Sequence, residues 1–568
     1  MSVELHLNGH ACAAEKGMSL FTFAEKLGVP VPTSCNKQGK CKECVVEVTD
    51  GMDCLSSRGP AERHLQGAFR LSCCTRIAQE DGLVRCHTMR RGAMRIEKHA
   101  FELPVHGPKW KLEPAVTRDG DRILLDGVEI ERGTGPLHGL AIDLGTTTIV
   151  IRLLNLETGE VIADSSFENP QRFGGSDVMA RIQYDTEDRT KTLQRTLVGY
   201  LSRAIAEFPV PPRSIYEVVI AGNSTMRDLF FKLSVYSIGQ SPYQSLTEQE
   251  LADGKRTSTS LSESARKLGL PIHPLARVYG LPIISGHVGA DAAACMLAVD
   301  IANEERLVAV MDIGTNTELI VGNKHKVLAA SCPAGPAFEG GQITFGMPGL
   351  PGAIEKIAIA DDGAVRASVI GDTAAEGICG SGLVDLMSEL VRTERMNSLG
   401  RFEHGAHDFV VAQSDGRPIT FSESDVNALA QAKGANVAGL QIAFAEYGIR
   451  YSDLDLFYLA GGFGRHLNLE SSKRIGLIPN IPAEKIVQVG NASVEGACIA
   501  LLSCAKRTEL EALVRRVQHC RLETHPGFFD FFVNGCQFTP VEDTDVGPAL
   551  AAAPRPADER QPFQIATP

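Results

Sequence analysis

GLAIDLGTTTIVIRLL, residues 139–154, is an apolar run, then Asp-Leu-Gly-Thr-Thr-Thr, then a second apolar run. The pattern returns about 170 residues later as LVAVMDIGTNTELIV, residues 307–321. Each copy reads as two strands joined by a tight glycine-bearing hairpin. One such hairpin is as readily a plain turn as a binding loop. Two copies in the same apolar setting point to two similar lobes facing each other. Gly145 and Gly314 let backbone amides approach an anion, and Thr146, Thr147, Thr315 and Thr317 add hydroxyl donors for phosphate oxygens. Asp143 and Asp312 cannot usefully touch phosphate, because like charges repel. Their place is explained if Mg²⁺ or its waters lie between them and the phosphates, and they are the candidate catalytic residues.

Outward from the repeats, residues 138–540 alternate strand-like apolar runs with helical patterns, as α/β architecture does. FYLAGGFGRHL ends an apolar run in Gly461-Gly462-Phe463-Gly464. Such a turn lets backbone lie flat against a base or ribose, so Gly461, Gly462 and Gly464 are assigned to an adenosine loop. QVGNASVEGACIALL, residues 488–502, reads as a helix packing at a hinge between lobes. Other features stay open. GICGSG (377–382) is a nucleotide cradle or a close-packed helix start, with Cys379 read as a small buried residue. Glu339 is a water-orienting carboxylate or a structural one, and Asp291 approaches Mg²⁺ or caps a helix. His287 reads as a structural histidine, and Asn169 and Gln171 as positioners of interlobe contacts.

Residues 1–90 form a separate small domain. Val3, Leu5 and Leu7 alternate toward one face, and Asn8-Gly9 supplies a hairpin turn. Ser19 caps a helix that Gly28 can end, with Leu20, Phe23, Ala24 and Leu27 on one side. Then comes SCNKQGKCKEC, residues 34–44, which places Cys35, Cys41 and Cys44 in one short loop. A fourth thiol is available from FRLSCCT, as Cys73 or Cys74. Four thiolates bind zinc or an iron–sulfur cluster. Zinc sites more often use two paired Cys-x2-Cys knuckles. One pair, one offset cysteine and one distant cysteine suit wrapping a [2Fe–2S] core, with Gly39 free to adopt positive φ.

The chain has 568 residues and a formal net charge of −13, which disfavours a general nucleic-acid surface. No apolar run of about 18 residues suggests a membrane span. Fifteen cysteines without a secretory signal are expected to stay reduced in the cytoplasm. Residues 91–137 read as a linker with a short hairpin at Asp126-Gly127, and the Pro/Ala-rich end, residues 541–568, as a disordered tail.

The cysteine segment resembles [2Fe–2S] ferredoxins of β-grasp fold, with the adrenodoxin-like first spacing. RLSC resembles the family's fourth-ligand segment, which implies Cys73 beside Cys35, Cys41 and Cys44. Residues 139–505 resemble the ATPases of the acetate- and sugar-kinase, Hsp70 and actin superfamily. The implied fold class is thus multidomain α+β and α/β: a β-grasp ferredoxin domain, then a two-lobed RNase-H-like ATPase that closes on Mg-ATP.

The fusion, with ENPQRFGGSDVMARIQY from Glu168, IAGNSTMRDLF from Ile220 and AGPAFEGG from Ala334, resembles the reductive activators of corrinoid proteins. That resemblance implies ATP-dependent delivery of one electron from a [2Fe–2S] cluster to a corrinoid protein of a methyltransferase system, turning inactive Co(II) into Co(I). It implies an external low-potential electron donor, and a second copy of the chain is a candidate partner. The step is uphill from ordinary donors: about 59 mV of one-electron gap corresponds to about 1.4 kcal/mol. The alternatives are an activator of a 2-hydroxyacyl-CoA dehydratase type of enzyme and a redox-gated, ATP-dependent binding protein.

Overall fold

The computed structural model of the chain describes residues 3–33, 35–89, 111–414, 416–462 and 464–546. The N-terminal unit is a five-stranded sheet in the order His10–Ala14, Val3–Leu7, Leu83–Thr88, Val45–Asp50, Phe69–Leu71. Val3–Leu7 runs parallel to Leu83–Thr88, and the other pairs are antiparallel. The first hairpin turns at Asn8 and Gly9, with φ of 51° and 82°, as a type I′ turn requires. Helix Leu20–Lys26 starts where the Ser19 hydroxyl accepts the Thr22 amide at 3.2 Å. It buries Leu20, Phe21, Phe23 and Ala24, while Leu27 is only partly covered.

A buried ion pair holds this unit together beside the second cysteine segment. Glu62 and Arg70 are 1% and 2% exposed. Glu62 accepts from Arg70 Nε at 2.9 Å, the Leu71 amide at 2.9 Å and the Thr75 hydroxyl at 3.1 Å, so it fixes the chain on both sides of Cys73. Replacing Glu62 by alanine strands the Arg70 charge in the interior, at a cost of about 3–5 kcal/mol. The N-terminal unit of E62A is expected to melt first, as an early transition in a urea titration that wild-type protein lacks.

The stretch expected to be a linker holds more order than a short hairpin. Val116–Asp119, Arg122–Leu125 and Val128–Arg132 form a three-stranded meander, turning at Asp126 and Gly127. It is anchored on the lobe behind it by an Arg277–Asp126 ion pair and by Tyr216 Oη donating to Glu131 at 2.6 Å. The first part of the expected linker, residues 91–110, lies outside the described residues, as does residue 90. At the other end, the chain stays packed beyond residue 541. Ser452 N donates to Asp543 Oδ1 at 3.0 Å, and Asn480 Nδ2 to Glu542 Oε1 at 2.7 Å. The remainder of the expected tail, from 547, is outside the described residues.

The two lobes repeat one topology. The first sheet runs Val161–Glu168, Thr148–Asn155, His138–Leu144, Ile215–Gly222, Arg277–Gly280, Leu261–Ser264. Its first three strands are antiparallel neighbours, and Ile215–Gly222 then joins His138–Leu144 in parallel. The second sheet runs Ile486–Gly490, Leu456–Ala460, Val308–Ile313, Thr317–Gly322, Val327–Cys332, Gln518–His519. Again a three-strand antiparallel meander is followed by a parallel strand, Leu456–Ala460, against the first of the three. The sequence repeat is therefore a structural repeat, with each glycine–threonine hairpin at the same corner of its sheet.

Helices Ala290–Ala298 and Ala492–Leu502 cross between the lobes within one buried core. Gly496 permits the crossing, because any side chain there would run into the Ala294 carbonyl. No described helix is long and apolar enough to cross a membrane.

Candidate functional site

A cavity of about 310 Å³ opens between the lobes. The two hairpins meet across it: the Thr147 and Thr315 hydroxyls are 2.6 Å apart. Both donate to the Glu339 carboxylate, Thr147 at 3.0 Å. Behind the first hairpin, Asn169 Nδ2 donates to Gly145 O at 2.8 Å and buried Arg181 to Thr146 O at 2.7 Å. Asn223 Nδ2 donates to the Thr146 hydroxyl at 2.9 Å. The carbonyls of Gly145 and Thr146 are thus held from behind, while Gly145, Thr146 and Thr147 line the cavity.

Asp143 is gripped from the other lobe. Asn491 Nδ2 donates to it at 2.9 Å and the Ser493 hydroxyl at 3.0 Å. Asn491 also caps helix Ala492–Leu502, accepting the Val494 amide at 2.8 Å. One residue therefore starts the interlobe helix and ties it to the opposite hairpin. Asp312 accepts from the Cys295 thiol at 3.1 Å. Asp291 sits in the first turn of helix Ala290–Ala298, accepting the Ala292 amide at 2.8 Å, though the cap position itself is Gly289.

Asp143, Asp291, Asp312, Glu318 and Glu339 line this cavity, and among the described residues none of them makes an ion pair. Burial pushes all five carboxyls up, and neighbouring carboxylates add to it at Asp291, Asp312 and Glu318. Asp291 and Asp312 each reach about 7. The nearby Arg152 is already engaged with Asp164 at 2.9 Å and Glu495 at 2.8 Å. These carboxylates are hard oxygen donors beside the two hairpins, but among the described residues no three of them converge on one point by themselves, so a small divalent cation here would need phosphate or water oxygens to complete its shell.

Of the residues read as nucleotide-binding, Gly145, Thr146, Thr147, Gly314, Thr315, Gly461 and Gly462 line the cavity. Thr317 and Gly464 do not. Thr317 is fully buried, with its hydroxyl unpartnered, and Gly464 lies in a turn where its carbonyl accepts from Gln488 Nε2 at 2.8 Å. Phe463 is outside the described residues. Gly461, at φ 111°, lies flat on the second hairpin, where a side chain would meet the Ile313 carbonyl. In GICGSG, helix Gly380–Arg392 starts as the close-packed reading expects, and Cys379, Gly380 and Ser381 line the cavity. His287 packs against the Tyr243 ring at 5.0 Å, a structural setting. Asn491 and Ser493 escaped the sequence reading. The only local signal was an Asn-Ala-Ser helix start, and its partner Asp143 lies 348 and 350 positions away.

In the N-terminal unit the thiols fall into two pairs. Cys44 and Cys73 Sγ are 3.3 Å apart, and Cys41 donates to Cys35 through both amide and thiol. Burial opposes ionisation of Cys35. The Cys41 contacts and the amides of Lys40 and Gln38 outweigh it and bring that thiol down to about 6. Contact with Cys73 lowers Cys44 and raises Cys73. Among the described residues no three His, Cys, Asp or Glu side chains converge on a point that one ion could hold. Two pairs fit two irons with two thiolates each, and fit a single tetrahedral zinc poorly. Gly39 takes φ 68°, and Cys74 lies beside Cys73 at 3.7 Å. Cys54 and Cys86 are buried and Cys12 half-buried, all apart from these pairs.

The segment 168–175 joins the two sites. Its Asn169 supports the first hairpin, while Arg172 pairs with Glu47 at 3.4 Å and Phe173 packs edge-on to His64 at 6.1 Å. Asn169 and Gln171 were expected to work between lobes. Asn169 instead works within one lobe, next to the contact with the N-terminal unit.

This is a ferredoxin-type electron carrier joined to a two-lobed nucleotide clamp. Residues 5–78 match the 2Fe-2S iron-sulfur cluster binding domain. Residues 138–304 match the RACo middle region, and 306–550 match the C-terminal domain of RACo, the ASKHA domain, an ATP-binding class. The chain is 29% identical to corrinoid activation enzyme RamQ of Eubacterium limosum, over 90% of this chain and 95% of that protein. It is 24% identical to the [Co(II) methylated amine-specific corrinoid protein] reductase of Methanosarcina barkeri, over 70% and 76% respectively. A solved structure, a reductive activator for corrinoid, iron-sulfur protein, superposes with a TM-score of 0.70 at 26% identity, covering 95% of this chain and 98% of that one. The chain belongs to the family of reductive activators of corrinoid proteins.

Proposed function

We propose that the protein uses ATP to drive one electron from a [2Fe–2S] cluster into a corrinoid protein of a methyltransferase system, restoring Co(I) from Co(II). The observation that carries this is the joining, through residues 168–175, of paired thiols to a cleft in which two phosphate hairpins meet. Cys35 and Cys41 would hold one iron, and Cys44 and Cys73 the other. The cluster, when bound, supplies a one-electron store. Gly145, Thr146, Thr147, Gly314 and Thr315 would orient the phosphates, and Asp143 and Asp312 would hold Mg²⁺ or its waters. Gly461 and Gly462 would face the adenosine. Glu339, bridging both threonine hydroxyls, senses whether the hairpins are together. Lobe closure over nucleotide then repositions residues 168–175, and with them the N-terminal unit. Differential affinity of the closed and open forms for the Co(II) partner is what ATP can exploit.

Holoprotein reduced under anaerobic conditions, mixed with a cognate Co(II) corrinoid protein, should produce the Co(I) absorbance only when Mg-ATP is added. Equal Co(I) yield without nucleotide would refute the reading.

The magnesium seat has its own signature. Asp291 and Asp312 titrate near 7 in the folded chain against about 4 unfolded. Between those values the native state holds protons that the unfolded chain releases. Metal-free protein therefore loses stability as pH rises from about 4 to 7. Mg²⁺ should relieve this, so its gain in Tm is expected to be larger at pH 8 than at pH 5. A gain independent of pH would contradict the assignment.

A further inference from the structure

The N-terminal unit carries equal numbers of acidic and basic side chains over residues 1–89, in a chain whose net charge is −13. They are not mixed. Asp50, Asp53, Glu80 and Asp81 gather where strand Val45–Asp50 ends and strand Leu83–Thr88 begins, and Asp50, Asp53 and Asp81 all act on the thiol of Cys54 there. Strand Val45–Asp50 starts one residue after Cys44, so this acidic end lies about 20 Å along the strand from the paired thiols.

The thiol end is basic. Lys37, Lys40 and Lys42 stand between the cysteines, and Arg58 and Arg63 lie on the neighbouring segment, whose Ala61 faces Gly39. Lys37 is engaged, with Glu25 at 2.6 Å and over the Phe21 ring at 5.0 Å. Among the described residues Arg58 donates to the backbone carbonyls of Gly67 and Phe69. Among the described residues no carboxylate pairs with Lys40, Lys42, Arg58 or Arg63. The far side of the loop is already covered: Gly199 of helix Thr192–Glu207 lies against Glu43, and buried Tyr200 of the same helix lies near Cys44. Approach from solvent is therefore over Asn36, Lys37 and Lys40, all exposed.

From this polarity we propose that the external reductant is an acidic one-electron protein that docks on the lysine- and arginine-rimmed thiol loop, separately from the nucleotide cleft. The inference rests on the thiol pairs holding the iron centre. A dipolar domain turns its basic end toward an anionic surface before contact, which raises the encounter rate and makes it salt-dependent. One electron leaves the donor's reduced cofactor and enters the iron centre. No bond or proton is exchanged.

The test is stopped-flow reduction of oxidised holoprotein without ATP or corrinoid protein. The donors are a reduced acidic flavodoxin in one arm and the methyl viologen radical cation in the other. With flavodoxin, the second-order rate is expected to fall about ten-fold or more from low to high salt, and by a similar factor in K40Q/R63Q. With viologen the rate should rise or stay level in both cases, which shows that the variant keeps a sound cluster. R63Q alone, outside the cysteine loop, should show part of the loss. A flavodoxin rate indifferent to salt and to these substitutions overturns the docking proposal while leaving the cluster intact. Absence of any reducible iron centre overturns both this and the functional reading.

Discussion

Replacing Asp312 by asparagine is expected to lower Mg-ATP hydrolysis by about 10²-fold or more, with iron content unchanged. Asp312 is the penultimate residue of strand Val308–Ile313 at the second hairpin, half-buried near Asp143, Asp291 and Glu339. Among the described residues only the Cys295 thiol donates to it. An amide of the same shape keeps the packing and removes the charge that would attract magnesium waters. Asp143→Asn should behave similarly, and it should also loosen the lobes, because Asn491 and Ser493 donate to that carboxylate. Steady-state phosphate release across a magnesium titration checks both. Retention of near-wild-type turnover at saturating magnesium would remove Asp312 from the site.

The second large effect concerns iron. Cys44→Ala or Cys73→Ala is expected to abolish the visible absorbance and the bound iron, because each leaves a pair with one thiol. Cys74→Ala should retain both, since Cys74 lies beside the Cys44–Cys73 pair and outside it. Iron and sulfide analysis of anaerobically purified variants, with EPR of the reduced form, checks this. Iron retained in Cys73→Ala and lost in Cys74→Ala would move the fourth ligand by one residue.

Local pattern in the sequence was enough to read several parts of this molecule. The twin hairpins were visible because strand periodicity and glycine–threonine turns are short-range features, and both fall at the same corner of matching sheets. The thiols were visible because three lie within one loop. Parts that depend on distant partners were not legible. The grip of Asn491 and Ser493 on Asp143 joins elements from opposite lobes. Arg172 reaches Glu47 across 125 positions, so the link between phosphate hairpin and ferredoxin unit left no local trace. Thr317 shows the opposite failure. It completes the repeated motif on paper, yet the strand it starts turns its hydroxyl away from the cavity. The meander at 116–132 was half seen: both turns carry an Asp-Gly pair, Asp119-Gly120 and Asp126-Gly127, but only the second was read as a hairpin, because the first strand, Val116–Asp119, is short and mostly polar.

The most direct test of the coupling is a single-turnover experiment. Holoprotein carrying one electron is mixed with a Co(II) corrinoid protein, with and without Mg-ATP, while iron-centre reoxidation and Co(I) formation are followed together. The account predicts that both signals appear with one rate and in equal amounts, and only with nucleotide. Iron-centre reoxidation at the same rate without ATP, or Co(I) formed while the iron centre stays reduced, would contradict it.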